Sequence, residues 1–213
     1  MIKFATPTKS KYKTKTYSNA NRGMDLENDI NKSNLFYNSS NIGVITKRPT
    51  PIRVVHMDYK NNIITKAYFE KQSTTDYNGI YKGRYIDFEA KSTNNKSLPL
   101  NNIPSHQLEH LSKVVSHGGI AFFIISFKSL NKNYFITYEI LKDFISSTNR
   151  KSISVKTIEE KGMLINTSFK LPLDYLKCVD EIYFKKWKNL LNGLSSVSIY
   201  SLLFYQLVLD FSS

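Results

Sequence analysis

The chain has 213 residues, of which 41% are hydrophobic and 13% aromatic, enough to bury one real core and too much for a disordered protein. A formal charge of +13 and a pI near 9.6 point to a polyanionic partner, either a phosphate backbone or an anionic membrane surface, with a basic solubilising surface as the plainer reading. Cys178 is the only cysteine, which excludes an intrachain disulfide and fits a reducing compartment.

No apolar stretch of secretory length follows Met1, so a cytoplasmic location is expected. Residues 1–20 carry Lys3, Lys9, Lys11, Lys13 and Lys15 without an acid, and read as a flexible basic arm. Arg22 follows, and then DLENDINKSNLFYNS, where Leu26, Ile30, Asn34 and Tyr37 recur at helical spacing. Asp25 and Glu27 fall in its first turn, where acids complement the helix dipole, and that alone accounts for Glu27.

From Ile42 the pattern becomes β: IGVITKR, PIRVVHMDY and IITKAYFEK are rich in Val, Ile, Thr and aromatics. Pro49 and Pro51 cannot donate to a ladder, so they are expected at a strand end or protruding tip flanked by Lys47, Arg48 and Arg53. Lys60-Asn61-Asn62 is a polar turn.

Residues 72–91, QSTTDYNGIYKGRYIDFEAK, are the most informative stretch. Asp76 precedes an expected turn at Tyr77-Asn78-Gly79, and an alternating segment then places Tyr85, Asp87, Glu89 and Lys91 on one face and Ile86, Phe88 and Ala90 on the other. Two carboxylates and a lysine suit a hard divalent cation beside a positive charge, because Mg²⁺ takes one or two carboxylates and keeps several waters. A surface ion pair is the competing reading, and Asp87 rivals Asp76 as a ligand.

Further on, HQLEHLSKVVSHGG reads as a helix closed by Gly118-Gly119, GIAFFIISFK as a strand buried on both faces, and NYFITYEI as the next strand. A short helix is expected over 141–147, nothing definite over 149–170, and another helix over 171–187. Residues 193–209 carry no charge, but are short for a membrane span, so the tail over 189–213 is read as apolar packing of unassigned role. His106 and His110 stand at i, i+4 and could chelate zinc, yet Gln107 occupies the place where a zincin has glutamate, and a third ligand is missing.

NRGMDLENDIN, ITKRPTPI, YFEKQSTTDYNGIYKGRYIDFEAKST and PLNNIPSHQLEHL, in this order, resemble the RecU family of bacterial Holliday-junction resolvases over about residues 20–185. The resemblance implies an α/β fold of the PD-(D/E)xK superfamily: a restriction-endonuclease-like mixed β-sheet flanked by helices, with a projecting β stalk over about 42–70 inside a nuclease domain of 21–188. It further implies a homodimer nicking opposite strands of a four-way junction to leave 5′-phosphate ends. Asp76, Glu89, Thr74 and Gln107 would hold Mg²⁺, or Mn²⁺ in its place, Lys91 would stabilise the transition state, and Glu27 matches a further acid of the site. Arg22, Lys47, Arg48, Arg53, Lys82 and Arg84 are the expected DNA contacts. A strand-exchange recombinase or branch-migration helicase is an implied partner, and a membrane is not. A non-catalytic junction binder and a nuclease acting on other DNA are the alternatives.

Overall fold

A computed structural model describes residues 24–70 and 74–185. Its centre is a six-stranded mixed sheet in the order β1-β4-β5-β7-β8-β10. These strands are β1 (Val44–Lys47), β4 (Tyr77–Tyr81), β5 (Arg84–Thr93), β7 (Ile120–Phe127), β8 (Lys132–Thr137) and β10 (Met163–Leu164). Only β5 and β7 run parallel, and the crossover between them carries helix α2 (Ser105–Ser116). Every residue of β7 is buried, as its unbroken apolar run requires of a strand covered on both faces.

Alternation along β5 divides the core in two. Ile86 and Phe88 face α1 (Met24–Ser39) and α5 (Tyr175–Val179), and there Tyr77, Phe88, Phe122 and Phe135 stack across four neighbouring strands with centroids 4.9, 4.5 and 4.4 Å apart. Offset rings at this separation add to their burial, so truncating Phe122 is expected to cost about 3–5 kcal/mol. Asp87 and Glu89 face the opposite side, toward α2, α3 (Tyr138–Ser147) and α4 (Val155–Lys161), where Leu111, Phe123, Ile125 and Leu141 form the second core. A two-strand ribbon joins β6 (Ser97–Pro99) to β9 (Ser152–Ser154) beside it.

The stalk is a separate hairpin of β2 (Ile52–Asp58) and β3 (Ile63–Phe69), with almost every residue exposed. It is shorter than the sequence predicts, because β1 is a strand of the central sheet, paired with β4 and anchored by buried Ile45. Pro49 to Pro51 therefore sit at the root of the stalk, not its tip. The far end is the turn after Asp58, whose carboxylate accepts from the backbone N–H groups of Lys60 and Asn61.

The turn expected at Tyr77-Asn78-Gly79 is strand. Chain reversal falls on Lys82 and Gly83, both with positive φ (48° and 77°), as a two-residue hairpin turn demands. Gly79 serves a different purpose: a Cβ there would lie 2.1 Å from the Val44 carbonyl oxygen, so β1 could not approach β4. Helix α3 begins at Tyr138, earlier than predicted, because Thr137 caps it by accepting from the Ile140 N–H. Residues 149–170 contain β9, α4 and β10, and within 171–185 the helix begins at Tyr175, continuing as a wider π-type turn over Asp180–Phe184. The basic arm, Arg22 and the 189–213 tail lie outside the described residues, among which no helix is long and apolar enough to cross a membrane. Cys178 packs in the core, where burial pushes its thiol up to about 12.

Candidate active site

β4 and β5 converge where the chain enters β4. Continuing their register, Tyr77 opposite Phe88, brings Asp76 beside Glu89. The Asp76 N–H donates to Glu89 Oε2 at 3.0 Å, and the Ala90 N–H donates to Asp76 Oδ2 at 3.2 Å. Lys91, two residues on and on the same face, donates from Nζ to Glu89 Oε1 at 2.6 Å. The carboxylates and lysine read from the alternation therefore meet.

Glu89 is only 2% exposed. Burial pushes its carboxyl up to about 7, the neighbouring Asp76 charge adds to that, and Lys91 and the Gln107 side chain pull the other way. Two further oxygens are buried without a hydrogen-bond partner: Thr74 Oγ1, two residues before Asp76, and Gln107 Oε1 on α2. Buried oxygens are seldom left unpaired. Two carboxylates short of compensation plus two orphaned neutral oxygens form an all-oxygen donor set that fits a hard divalent cation.

Asp87 has a different task. Fully buried, it accepts from Arg48 Nη2 at 2.8 Å, from the Tyr85 hydroxyl at 2.8 Å and from the Thr75 hydroxyl, and its Oδ2 lies 2.8 Å from His110 Nε2. Asp87 is thus already engaged by four side chains, whereas Asp76 is bonded at Oδ2 to the Ala90 N–H. Through these bonds Asp87 ties together the stalk root, the segment that leads into β4, and α2. Sequence reasoning treats Asp87 only as a rival ligand and misses Thr75 and His110 as its partners; the i+2 relation of Tyr85 and Asp87 was the one available signal. The same bond uses the His110 imidazole, and among the described residues no cluster of three or more His, Cys, Asp or Glu could hold a metal, which removes the zinc reading of HQLEH.

Glu27 sits in the first turn of α1 and ion-pairs with Lys47, while its carbonyl accepts from the Tyr77 hydroxyl at 3.4 Å. No hydrogen bond or ion pair joins it to Asp76 or Glu89. All three charges nevertheless act on Tyr77, whose phenol is raised chiefly by burial and then by Glu27, Asp76 and Glu89.

Of the expected DNA contacts, Arg53 is exposed on the stalk. Lys47 is engaged by Glu27 and Arg48 by Asp87. Lys82 ion-pairs with Asp180 and lies over the Tyr81 and Phe184 rings, and Arg84 donates from Nε to the Gly118 carbonyl at 3.1 Å. These four basic side chains are thus each paired within the domain.

Residues 21–181 match the family described as recombination protein U, RecU. A Holliday junction resolvase RecU of Bacillus cereus (strain G9842) is 45% identical over 185 residues, covering 84% of this chain and 92% of that protein. The protein of the same description from Bacillus cytotoxicus is 44% identical over the same length. Among solved structures, Hjc, a Holliday junction resolvase of Archaeoglobus fulgidus, aligns with a TM-score of 0.41 at 13% identity, covering 67% of this chain and 95% of that one. Because the family match takes in every element that carries Thr74, Asp76, Glu89, Lys91 and Gln107, and the relatives align over nearly their whole length, this chain belongs to the RecU family.

Proposed function

We propose that the chain is an Mg²⁺-dependent endonuclease that resolves four-way Holliday junctions by paired symmetric nicks, serving recombination and DNA repair. The observation that carries the reading is the reciprocal bonding of Asp76 and Glu89, with Lys91 on one carboxylate oxygen and the orphaned Thr74 and Gln107 oxygens close in sequence or packing. The names of the relatives supply the substrate.

Asp76 and Glu89 would hold Mg²⁺ together with Thr74 Oγ1 and Gln107 Oε1, and Mn²⁺ would substitute, since all four donors are oxygen. When bound, the ion supplies a water of lowered pKa and polarises a phosphoryl oxygen. The Lys91 ammonium, restrained by Glu89, meets charge developing on the scissile phosphate, and hydrolysis leaves a 5′-phosphate. Glu27 borders the site from α1, holding Lys47 and receiving the Tyr77 hydroxyl on its carbonyl, which supports a positioning role.

Shape dominates substrate choice. The exposed hairpin carries Arg53, Lys60 and Lys66 and offers phosphate contacts at the junction centre. A homodimer supplies one site for each of the two strands cut.

A synthetic four-way junction, the matching linear duplex and a single strand, each incubated with Mg²⁺ or EDTA, test the proposal. Paired nicks on the junction alone, abolished by EDTA, are expected. Tight junction binding with no nicking under Mg²⁺ or Mn²⁺ would leave the chain a non-catalytic junction binder.

A further inference from the structure

Past Lys91 the strand runs into a concavity of about 300 Å³, lined by Ser92, Thr93, Asn94, Asn95, Pro99 and Asn102. We propose that this pocket holds one nucleobase beside the scissile phosphate and biases which sequence is nicked; the inference rests on the nuclease reading above.

Position is the first argument. Glu89, Lys91 and Thr93 alternate onto one face of β5, so Thr93 stands roughly 7 Å beyond Lys91. A DNA strand rises about 3.4 Å per nucleotide, which puts the pocket within a nucleotide or two of a phosphate at Lys91.

Chemistry is the second. The lining contains three amides and two hydroxyls, and no Lys, Arg, Asp or Glu. In a chain of net charge +13, a subsite for phosphate would be expected to carry a cation. Amides instead present a donor and an acceptor together, the pattern that pairs with base edges. Pro99 provides an apolar wall for a base face. The volume is sufficient for one base.

Third, the pocket is built before DNA arrives. The Thr93 hydroxyl donates to the Ser97 carbonyl at 3.3 Å and accepts from the Asn95 N–H at 3.1 Å, fixing the loop. Ser97–Pro99 is paired with β9, and Leu100 N–H and the Lys96 carbonyl are tied to Lys151 and Val155 at 2.9 Å each. The same wall leads directly into α2, which presents Gln107, so a base seated against Asn102 presses on the segment that carries a metal-site oxygen.

The test uses the full chain on four-way junctions with randomised core sequence, reading every nick by sequencing, for wild type, Asn94→Ala and Asn102→Ala. Both residues are exposed, and thermal melts check that the variants fold. Wild type is expected to favour one base at a fixed position next to the nick, with the variants lowering that preference about ten-fold while total nicking stays within roughly three-fold. An unchanged preference in both folded variants overturns the pocket assignment. Nicking by wild type without any preference also overturns it and leaves the resolvase reading intact, whereas no nicking at all removes that reading and the pocket with it.

Discussion

Asp76 and Glu89 are bound to each other through the backbone: Asp76 donates its N–H to Glu89 Oε2 at 3.0 Å, and Asp76 Oδ2 accepts from the residue after Glu89 at 3.2 Å. The arrangement keeps buried Glu89 beside half-buried Asp76, and burial first, then the Asp76 charge, opposes ionisation of Glu89. Much of the behaviour expected of the protein follows from that penalty.

Thr74 and Gln107 test the donor set. Each carries a buried oxygen with no partner, so Thr74→Val should leave the melting temperature unchanged or slightly raised, since no hydrogen bond is lost. The Mg²⁺ concentration for half-maximal nicking should rise by about ten-fold or more in Thr74→Val and in Gln107→Leu, because residues that complete a metal site typically cost 10–100-fold. Metal titrations of nicking, with calorimetry of Mn²⁺ binding, check this.

Glu89 sets a pH dependence of definite sign. Its carboxyl is raised from 4.5 to about 7, so the folded protein keeps this proton at pH values where the unfolded chain has lost it. The stability contributed is present in full below pH 4.5 and is lost as pH rises through about 7. In the absence of metal, Glu89→Gln should therefore melt higher than wild type at pH 8, by about 2–6 °C, with little difference at pH 4. Saturating Mg²⁺ should erase the gain at pH 8. Apparent Mg²⁺ affinity of the wild type should fall below pH 7, because binding must displace the proton.

Asp87 predicts a larger loss of stability than any metal-site residue. Removing it leaves Arg48, Thr75 and His110 facing a fully buried gap, and Asp87→Ala should cost about 3–5 kcal/mol by denaturant unfolding. Asp87→Asn should recover part of this by retaining an acceptor.

The stalk should separate junction cutting from general DNA binding. Arg53→Ala with Lys66→Ala changes only exposed side chains, so stability should be unaffected. Junction nicking should fall about ten-fold while duplex binding changes little, since two of many phosphate contacts are lost. Arg48 is unsuitable for this test, because its guanidinium supports Asp87 inside the domain.

Features carried by local periodicity were legible in the sequence: the buried run of β7, the division of β5 into two faces, the helical spacing of Leu26, Ile30 and Tyr37, and the β character of 42–70, though not that its first strand joins the central sheet. The meeting of Asp76 with Glu89 was legible through resemblance, because strand alternation alone treats Asp76 and Asp87 alike. What could not be read was long-range. The bond from Arg48 to Asp87 joins residues 39 apart, and Lys82 reaches across 98 residues to Asp180, so neither leaves a local pattern. The reversal at Lys82-Gly83 was hidden by the stronger turn signal of Asn78-Gly79, which the close approach of β1 to β4 converts into strand.

The most direct measurement is single-turnover nicking of a four-way junction in Mg²⁺ by wild type, Asp76→Asn and Glu89→Gln, with junction affinity measured in parallel. Symmetric nicks by wild type, slowed at least 10²–10³-fold in each variant with affinity retained, are expected. Variants that nick at the wild-type rate would show that the Asp76–Glu89 pair does not carry the reaction.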